Sequence, residues 1–499
     1  MPAKIISDKE CFPYNIRGVY TLIMKRASGV LMHVSSLPGE YSSGAFGAEA
    51  KNFIDLISET GFSYWQVLPF CLPDDCNSPY KSFGAFSLNP NFIDLNTLYN
   101  KGLITKEERE TARQKSPYLC EFERLKKERV PLLKKAAERF KDGQKLAAFL
   151  KKYPEIDEFA KFMALKEAND YKPFYEWTKN SYDEKTADAW RFIEYEFFIE
   201  WEDIKAYANK KGVKIIGDVP MYVDLDSVDV YSAPENFLLG ENYKPDMVAG
   251  VPPDYFSKDG QKWGNPLYDW AKMEKDGYKW WKRRISFMCD LFDGIRIDHF
   301  RAFESYFAVP EKDETAKNGK WVKGAGLKFI NEIKKVAKDN LIIAEDLGVI
   351  TEDVVKLVEK SGFPGMRVLQ FAFSGDKNSP HLPFNYKNNC VAYTGTHDNN
   401  TLLGYVWEMG DGDRRRMLKY FGYTSPDWNA CYDSVLRGMF ASHAGLVVLP
   451  VQDLLLYGAD TRMNTPGVSQ KNWAFRVTSE QLKTINKQKF IEFNDLYHR

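Results

Sequence analysis

Three acidic residues stand at the ends of short apolar runs. Asp298 closes Gly294-Ile295-Arg296-Ile297-Asp298, Glu345 closes Ile342-Ile343-Ala344-Glu345, and Asp398 follows Thr394-Gly395-Thr396-His397. A carboxylate so placed projects from the carboxyl end of a strand, where an α/β barrel carries its catalytic groups. Alternate strand residues share a face. Arg296 therefore points the same way as Asp298, and its guanidinium favours an ionised, nucleophilic carboxylate. Glu345 ends an apolar run, where desolvation raises a carboxyl pKa and suits the group to general acid catalysis. One ionised and one protonated carboxyl about 5 Å apart is the pair of a retaining glycosidase. Asp398, beside His397, is suited to hold sugar hydroxyls as positive charge develops at carbon 1.

Each residue also has a plainer reading. An Asp at a strand end can cap the next helix, and Arg296–Asp298 can be a structural ion pair. Glu345-Asp346 can cap a helix opening near Thr351, and His397 can be a packed core residue. The same groups could bind a divalent ion. Against this, the histidines form no HxH or HExxH motif, and no GxGxxG or GxxxxGK[ST] run occurs. Neither a catalytic metal nor any cofactor is expected.

The acids must be held by strands, and eight apolar runs supply candidates. They begin at Gly29, Tyr64, Val213, Phe292, Leu341, Met366, Cys390 and Leu446. Helical periodicity marks most of the intervening stretches, for example 48–57, 278–291, 327–337 and 351–360. Eight strands alternating with helices indicate an α/β fold, a (β/α)8 TIM barrel. The spacing is uneven. The stretch 98–209 is charge-rich and reads as a mainly helical insertion, while 222–281 is rich in Pro, Gly, Asp, Tyr and Trp and reads as an ordered loop. The expectation is a single catalytic barrel domain spanning 1–499, with both insertions on the catalytic face.

Composition narrows the class. The 69 Lys+Arg and 69 Asp+Glu cancel, which argues against nucleic acid or a membrane surface as partner, since both attract a basic excess. Aromatic residues reach 15%, which fits either a large aromatic core or stacking on pyranose faces. The seven cysteines are scattered with no CxxC pair, so reduced thiols in a cytoplasmic protein are expected. The amino terminus has no apolar signal region, and no run of 18 apolar residues spans a membrane.

Beyond the three acids, long motifs recur almost end to end. They include Ser35-Ser36-Leu37-Pro38, Ser78-Pro79-Tyr80, Gly217-Asp218-Val219-Pro220 and Gly250-Val251-Pro252-Pro253-Asp254-Tyr255-Phe256. Gly260-Gln261-Lys262-Trp263-Gly264-Asn265-Pro266, Arg296-Ile297-Asp298-His299-Phe300-Arg301, Ala344-Glu345-Asp346-Leu347-Gly348, Thr396-His397-Asp398-Asn399 and Arg462-Met463-Asn464 follow. On these motifs the chain resembles the 4-α-glucanotransferases (amylomaltases or disproportionating enzymes), a branch of the α-amylase clan.

The resemblance implies that Asp298 is the nucleophile, Glu345 the general acid/base and Asp398 the transition-state stabiliser. It implies that Arg296 and His397 line the subsite of the reacting glucose, with Tyr80 stacking under that ring, Asp218 nearby and Asn464 adding a hydrogen bond. Tyr255, Phe256, Gln261 and Trp263 fall in what resembles a loop covering the acceptor side. The implied activity is transfer of α-1,4-glucan segments between malto-oligosaccharides or longer glucans; the alternative is an α-amylase-type hydrolase using the same acids. One stretch departs. Where several bacterial members have Tyr-Gly-Asp contributing to a second glucan site, this chain has Pro73-Asp74-Asp75-Cys76-Asn77, so the resemblance carries no such site here.

Overall fold

The computed structural model describes residues 24–73, 76–253, 257–423, 431–468 and 471–499. Twelve strands are present among them: β1 (Ala27–Leu31), β2 (Tyr64–Gln66), β3 (Lys214–Val219), β4 (Met247–Val251), β5 (Gln261–Pro266), β6 (Gly294–Ile297), β7 (Ser305–Pro310), β8 (Lys320–Lys323), β9 (Leu341–Ala344), β10 (Gly365–Val368), β11 (Cys390–Tyr393) and β12 (Leu446–Pro450). Eight of these close a parallel barrel in the order β1-β12-β11-β10-β9-β6-β3-β2. Each barrel strand therefore lies beside its predecessor in the chain, and β12 closes against β1. All eight contain residues of the apolar runs that mark them in the sequence.

The helices form where apolar residues recur at helical spacing. Helix Ala48–Glu59 buries Ala50, Phe53, Ile54 and Ile57, one continuous stripe facing the barrel. Helix Glu352–Ser361 is started by the Thr351 side chain, which accepts the Val354 N–H, and is stopped by Gly362 in the left-handed region (φ 72°). The cap is therefore Thr351 and not Glu345-Asp346. The β10–β11 connection departs from the repeat and carries two 3-10 turns, Leu369–Phe371 and Pro383–Asn385.

The long β2–β3 connection holds the helices Phe122–Arg139, Gly143–Lys152, Pro154–Ala168 and the 27-residue Glu184–Lys210. Glu184–Lys210 packs against the barrel through rings: Phe46, Phe70 and Phe292 surround Trp201 at centroid distances of 4.7–5.7 Å. Trp65, Trp190, Trp201 and Trp281 are all fully buried. Each such ring contributes about 1.5–3 kcal/mol by leaving water, so much of the aromatic excess is core.

The stretch 222–281 is only partly loop. It supplies β4 and β5, which join β7 and β8 in an antiparallel sheet ordered β5-β4-β7-β8. Sequence reading missed these strands because MVAGV and QKWGNP lack polar/apolar alternation and carry Gly and Pro. The Gly in β4 is required: a Cβ on Gly250 would lie 2.4 Å from the Gln261 carbonyl oxygen. No helix among the described residues is long and apolar enough to cross a membrane.

Candidate active site

The acids gather where β3, β6 and β9 end side by side. Arg296 lies level with Asp218 of β3 on one side and Ile343 of β9 on the other, and this register makes it a bridge. Its Nη1 donates to Asp218 Oδ2 at 2.7 Å, and its Nη2 donates to Asp298 Oδ1 at 2.8 Å. Burial works against the Arg296 charge, but the Asp218 and Asp298 carboxylates outweigh it and keep the guanidinium charged. Burial likewise pushes the Asp218 carboxyl up while Arg296 pulls it back. The Asp298 side chain, 30% exposed, faces the opening, whereas Asp218 is fully enclosed.

Glu345 sits immediately past β9 and is buried. Its Oε2 accepts the His299 N–H at 2.7 Å and its Oε1 the Leu347 N–H at 2.8 Å. Burial, reinforced by the nearby Asp298 charge, raises its pKa to about 8 against the pull of Arg296 and the two N–H groups. The desolvation expected from the apolar run is therefore the leading cause.

Asp398 follows β11 on a loop. Its Oδ1 accepts the Asn464 amide at 2.6 Å, and His397 Nε2 lies 3.3 Å from Oδ2. Burial raises this carboxyl, but His397 and Asn464 outweigh it and hold the pKa down to about 2. Two of the three acids thus stand on opposite sides of neutrality, a separation found where acid and base roles are divided.

Tyr80 joins the cluster from a distant loop. Its hydroxyl donates to Asp218 Oδ2 at 2.7 Å, and its ring stacks on His397 with centroids 5.0 Å apart and planes at 16°. His397 is therefore packed as well as polar. Opposite, Trp263 Nε1 donates to the Gln261 side-chain oxygen at 3.1 Å, and the indole meets the His299 ring edge-on at 5.0 Å. Between these walls lies a cavity of about 530 Å³ lined by Tyr80, Gln261, Trp263, Asp298, Asp398 and Asn464 among others. Tyr255 and Phe256 lie outside the described residues. Among the described residues no group of three or more His, Cys, Asp or Glu side chains is placed to hold a metal ion.

Several contributors escaped the sequence reading. Trp473 lies 5.9 Å from Tyr80 and 5.8 Å from His397. Tyr222 and His299 line the same cavity. Asp453, fully buried just past β12, accepts the Thr394 hydroxyl at 2.5 Å and the Leu402 N–H at 2.8 Å. One carboxylate therefore ties both ends of the loop that carries His397 and Asp398. The available signal was its place at the end of an apolar strand, the pattern used to find the other acids.

A closed parallel barrel with carboxylates of opposed acidity at the strand ends defines a barrel enzyme of the glycoside hydrolase kind. A family model described as 4-alpha-glucanotransferase matches residues 32–482. The 4-alpha-glucanotransferase of Clostridium butyricum is 40% identical over 490 residues, covering 94% of this chain and 100% of the relative. That of Streptococcus pneumoniae is 41% identical over 497 residues, covering 95% and 98%. Among solved structures, the amylomaltase of Streptococcus agalactiae in complex with acarbose superposes with a TM-score of 0.91 at 36% identity, covering 95% of this chain and 100% of that one. The chain belongs to the 4-alpha-glucanotransferase family of enzymes.

Proposed function

We propose that the chain is a retaining transferase that moves α-1,4-glucan segments between donor and acceptor chains through a glucosyl ester on Asp298. The observation that carries this reading is the contrast between Asp298, bonded to a charged Arg296 at the cleft wall, and Glu345, whose pKa is raised to about 8. Asp298 attacks carbon 1 of a bound glucosyl unit as Glu345 protonates the departing 4-oxygen, and the shortened chain leaves. Glu345, now ionised, takes the proton of an acceptor 4-hydroxyl. That oxygen attacks carbon 1, the ester breaks, and the α configuration is restored.

In this reading Asp398, held at about 2, stays ionised and carries hydrogen bonds to the ring hydroxyls as positive charge develops. Arg296, His397, Asp218, Tyr80 and Asn464 hold that ring, Gln261 and Trp263 face the acceptor, and Tyr255 and Phe256 are assigned to acceptor binding by the family resemblance alone. Malto-oligosaccharides and longer α-1,4-glucans are the substrates, in the cytoplasm. The stretches 98–209 and 222–281 are insertions on one barrel domain that shape the cleft.

Transfer needs more than the acid pair. Water is about 55 M and a sugar acceptor about millimolar, so the acceptor must be favoured by roughly 6–7 kcal/mol at about 1.4 kcal/mol per decade. Ordered acceptor contacts and water exclusion around Trp263 supply this preference.

The test is incubation with maltotriose, following glucose and the oligosaccharide ladder, with Asp298→Asn as control. Longer oligomers plus glucose at constant total reducing ends, absent from the control, are expected. Only shorter sugars with rising reducing ends would make the chain a hydrolase.

A further inference from the structure

Arg301 is buried on the 3-10 turn Phe300–Phe303 that follows β6. As a structural cation it is poorly provided for. Burial lowers its pKa against the pull of Glu304, Tyr222 and Glu345, and its Nε has no hydrogen-bond partner among the described residues. Glu304 is instead paired with Lys323 and accepts the Ser305 hydroxyl at 2.6 Å. A buried group that leaves a donor unmet costs stability, so support of the fold does not by itself account for this side chain. What the guanidinium does hold is a backbone carbonyl. Its Nη1 donates to the Val349 oxygen at 2.5 Å and its Nη2 to Ser305 Oγ at 2.9 Å. Trp321 of β8 lies over the guanidinium, 3.7 Å from the ring centroid, and this cation–π contact braces the group from the edge of the antiparallel sheet.

The two acceptors lie where they bear on Glu345. That carboxyl takes one N–H from each of two turns: from His299, at the head of the turn that carries Arg301, and from Leu347, two residues before Val349. The Phe300 N–H adds a bond to the Glu345 carbonyl oxygen at 3.1 Å. Packing does not fix the second turn, because Gly348 and Val349 are both exposed. Arg301 belongs to the first turn and is bonded to the second, so its planar fork sets the spacing between the two N–H groups that bracket the carboxyl. Those N–H groups favour the ionised carboxylate. They act beside Arg296, which also lowers the Glu345 pKa, and against burial and Asp298, which raise it. Arg301 itself faces Glu304, Tyr222, Glu345 and His299.

We propose that Arg301 is a positioning residue for the acid/base: its guanidinium straps the Leu347–Val349 stretch to the turn after β6, so that both backbone N–H groups stay aimed at Glu345. The inference rests on the reading of Glu345 as the group that gives and takes the proton. The strap serves both steps. It holds the carboxyl in place beside the departing 4-oxygen, and it keeps the ionised form accessible when the same group must accept a proton from the acceptor hydroxyl.

The experiment measures kcat and KM for maltotriose disproportionation across pH in wild type, Arg301→Met and Arg301→Lys, well below the melting temperature of each. Arg301→Met should lower kcat by roughly 10–10²-fold, the effect of misplacing a reacting group, with KM changed by less than about twofold. Its alkaline limb should move up from the wild-type value of about 8. A rise of about one pH unit is expected, because loss of aligned N–H donors favours the protonated carboxyl. Arg301→Lys keeps the charge, but one ammonium cannot span both acceptors, so it should share the loss and the shift. An unchanged kcat in Arg301→Met overturns the proposal. A lower kcat or melting temperature with the limb unmoved also overturns it, since the residue would then only support the fold. Wild-type behaviour of Arg301→Lys overturns the strap in favour of charge alone. If Arg301→Met fails to fold, Arg301→Lys carries the same comparison. Wild type that makes no oligomers from maltotriose would instead refute the reading of Glu345, and the inference with it.

Discussion

The backbone N–H of His299 donates to Glu345 Oε2 at 2.7 Å, and His299 directly follows Asp298 in the chain. The proposed acid/base is thereby tied to the backbone of the proposed nucleophile, across β6 and β9. His299 adopts φ 47°, in the left-handed region that non-glycine residues rarely enter. A shift in that turn would move both carboxyl groups together, which keeps their separation constant as substrates change.

Replacing an acid should separate the two chemical steps. Glu345→Gln is expected to lower maltotriose disproportionation by roughly 10²–10⁴-fold. With an α-glucosyl fluoride donor, whose leaving group needs no proton, the first step should survive in Glu345→Gln and be lost in Asp298→Asn. Loss of fluoride release from both variants alike would contradict the assigned roles.

The raised pKa of Glu345, about 8, sets the alkaline limb of activity. kcat/KM should fall as pH rises through about 8, because the proton required by the leaving group is lost. The same shift affects stability. A carboxyl whose folded pKa lies above its unfolded value of 4.5 favours folding below 4.5, and that contribution is lost as pH rises to about 8. Urea melts of wild type and Glu345→Gln should therefore diverge across that window, with the wild type losing stability faster as pH increases.

Arg296 holds two carboxylates, so its removal should be costly in two ways. Arg296→Met leaves Asp218 buried and unpaired, a change that costs about 3–5 kcal/mol, and it removes the partner of Asp298. Adding Asp218→Asn should recover much of the stability without recovering transfer. Thermal melts and maltotriose assays on the two singles and the double form a cycle that distinguishes these contributions.

Asp453 should act through the loop it closes. Asp453→Ala leaves the Thr394 hydroxyl and the Leu402 N–H without their acceptor, at about 1–3 kcal/mol for each buried group. Loss of transfer beyond the loss of stability, measured well below the melting temperature, would show that the carboxylate positions His397 and Asp398.

Trp263→Ala should raise the ratio of hydrolysis to transfer. The indole packs on His299 and hydrogen-bonds Gln261 at the cleft wall, so its loss opens the acceptor side to water. Reducing ends and oligomer ladders, measured on the same samples, give that ratio directly. An unchanged ratio would remove Trp263 from acceptor selection.

The barrel was legible before any coordinates because its signals are local. Eight apolar runs, each a few residues long, mark eight strands, and a carboxylate at the end of such a run is visible at once. The raised pKa of Glu345 followed from the same pattern, since an apolar run predicts desolvation. Strands β4 and β5 were hidden because both carry glycine and lack alternation, so no period distinguished them from loop.

What the tertiary structure alone decided are the contacts between residues remote in the chain. Tyr80 and Asp218 are 138 positions apart, yet they share a hydrogen bond at 2.7 Å. Asp453 closes a loop that begins 59 positions earlier. Local periodicity determines that a strand forms and which face it buries. Which side chains meet at the mouth depends on barrel register and on the paths of long connections, and these are set by packing against the whole core rather than by neighbouring residues.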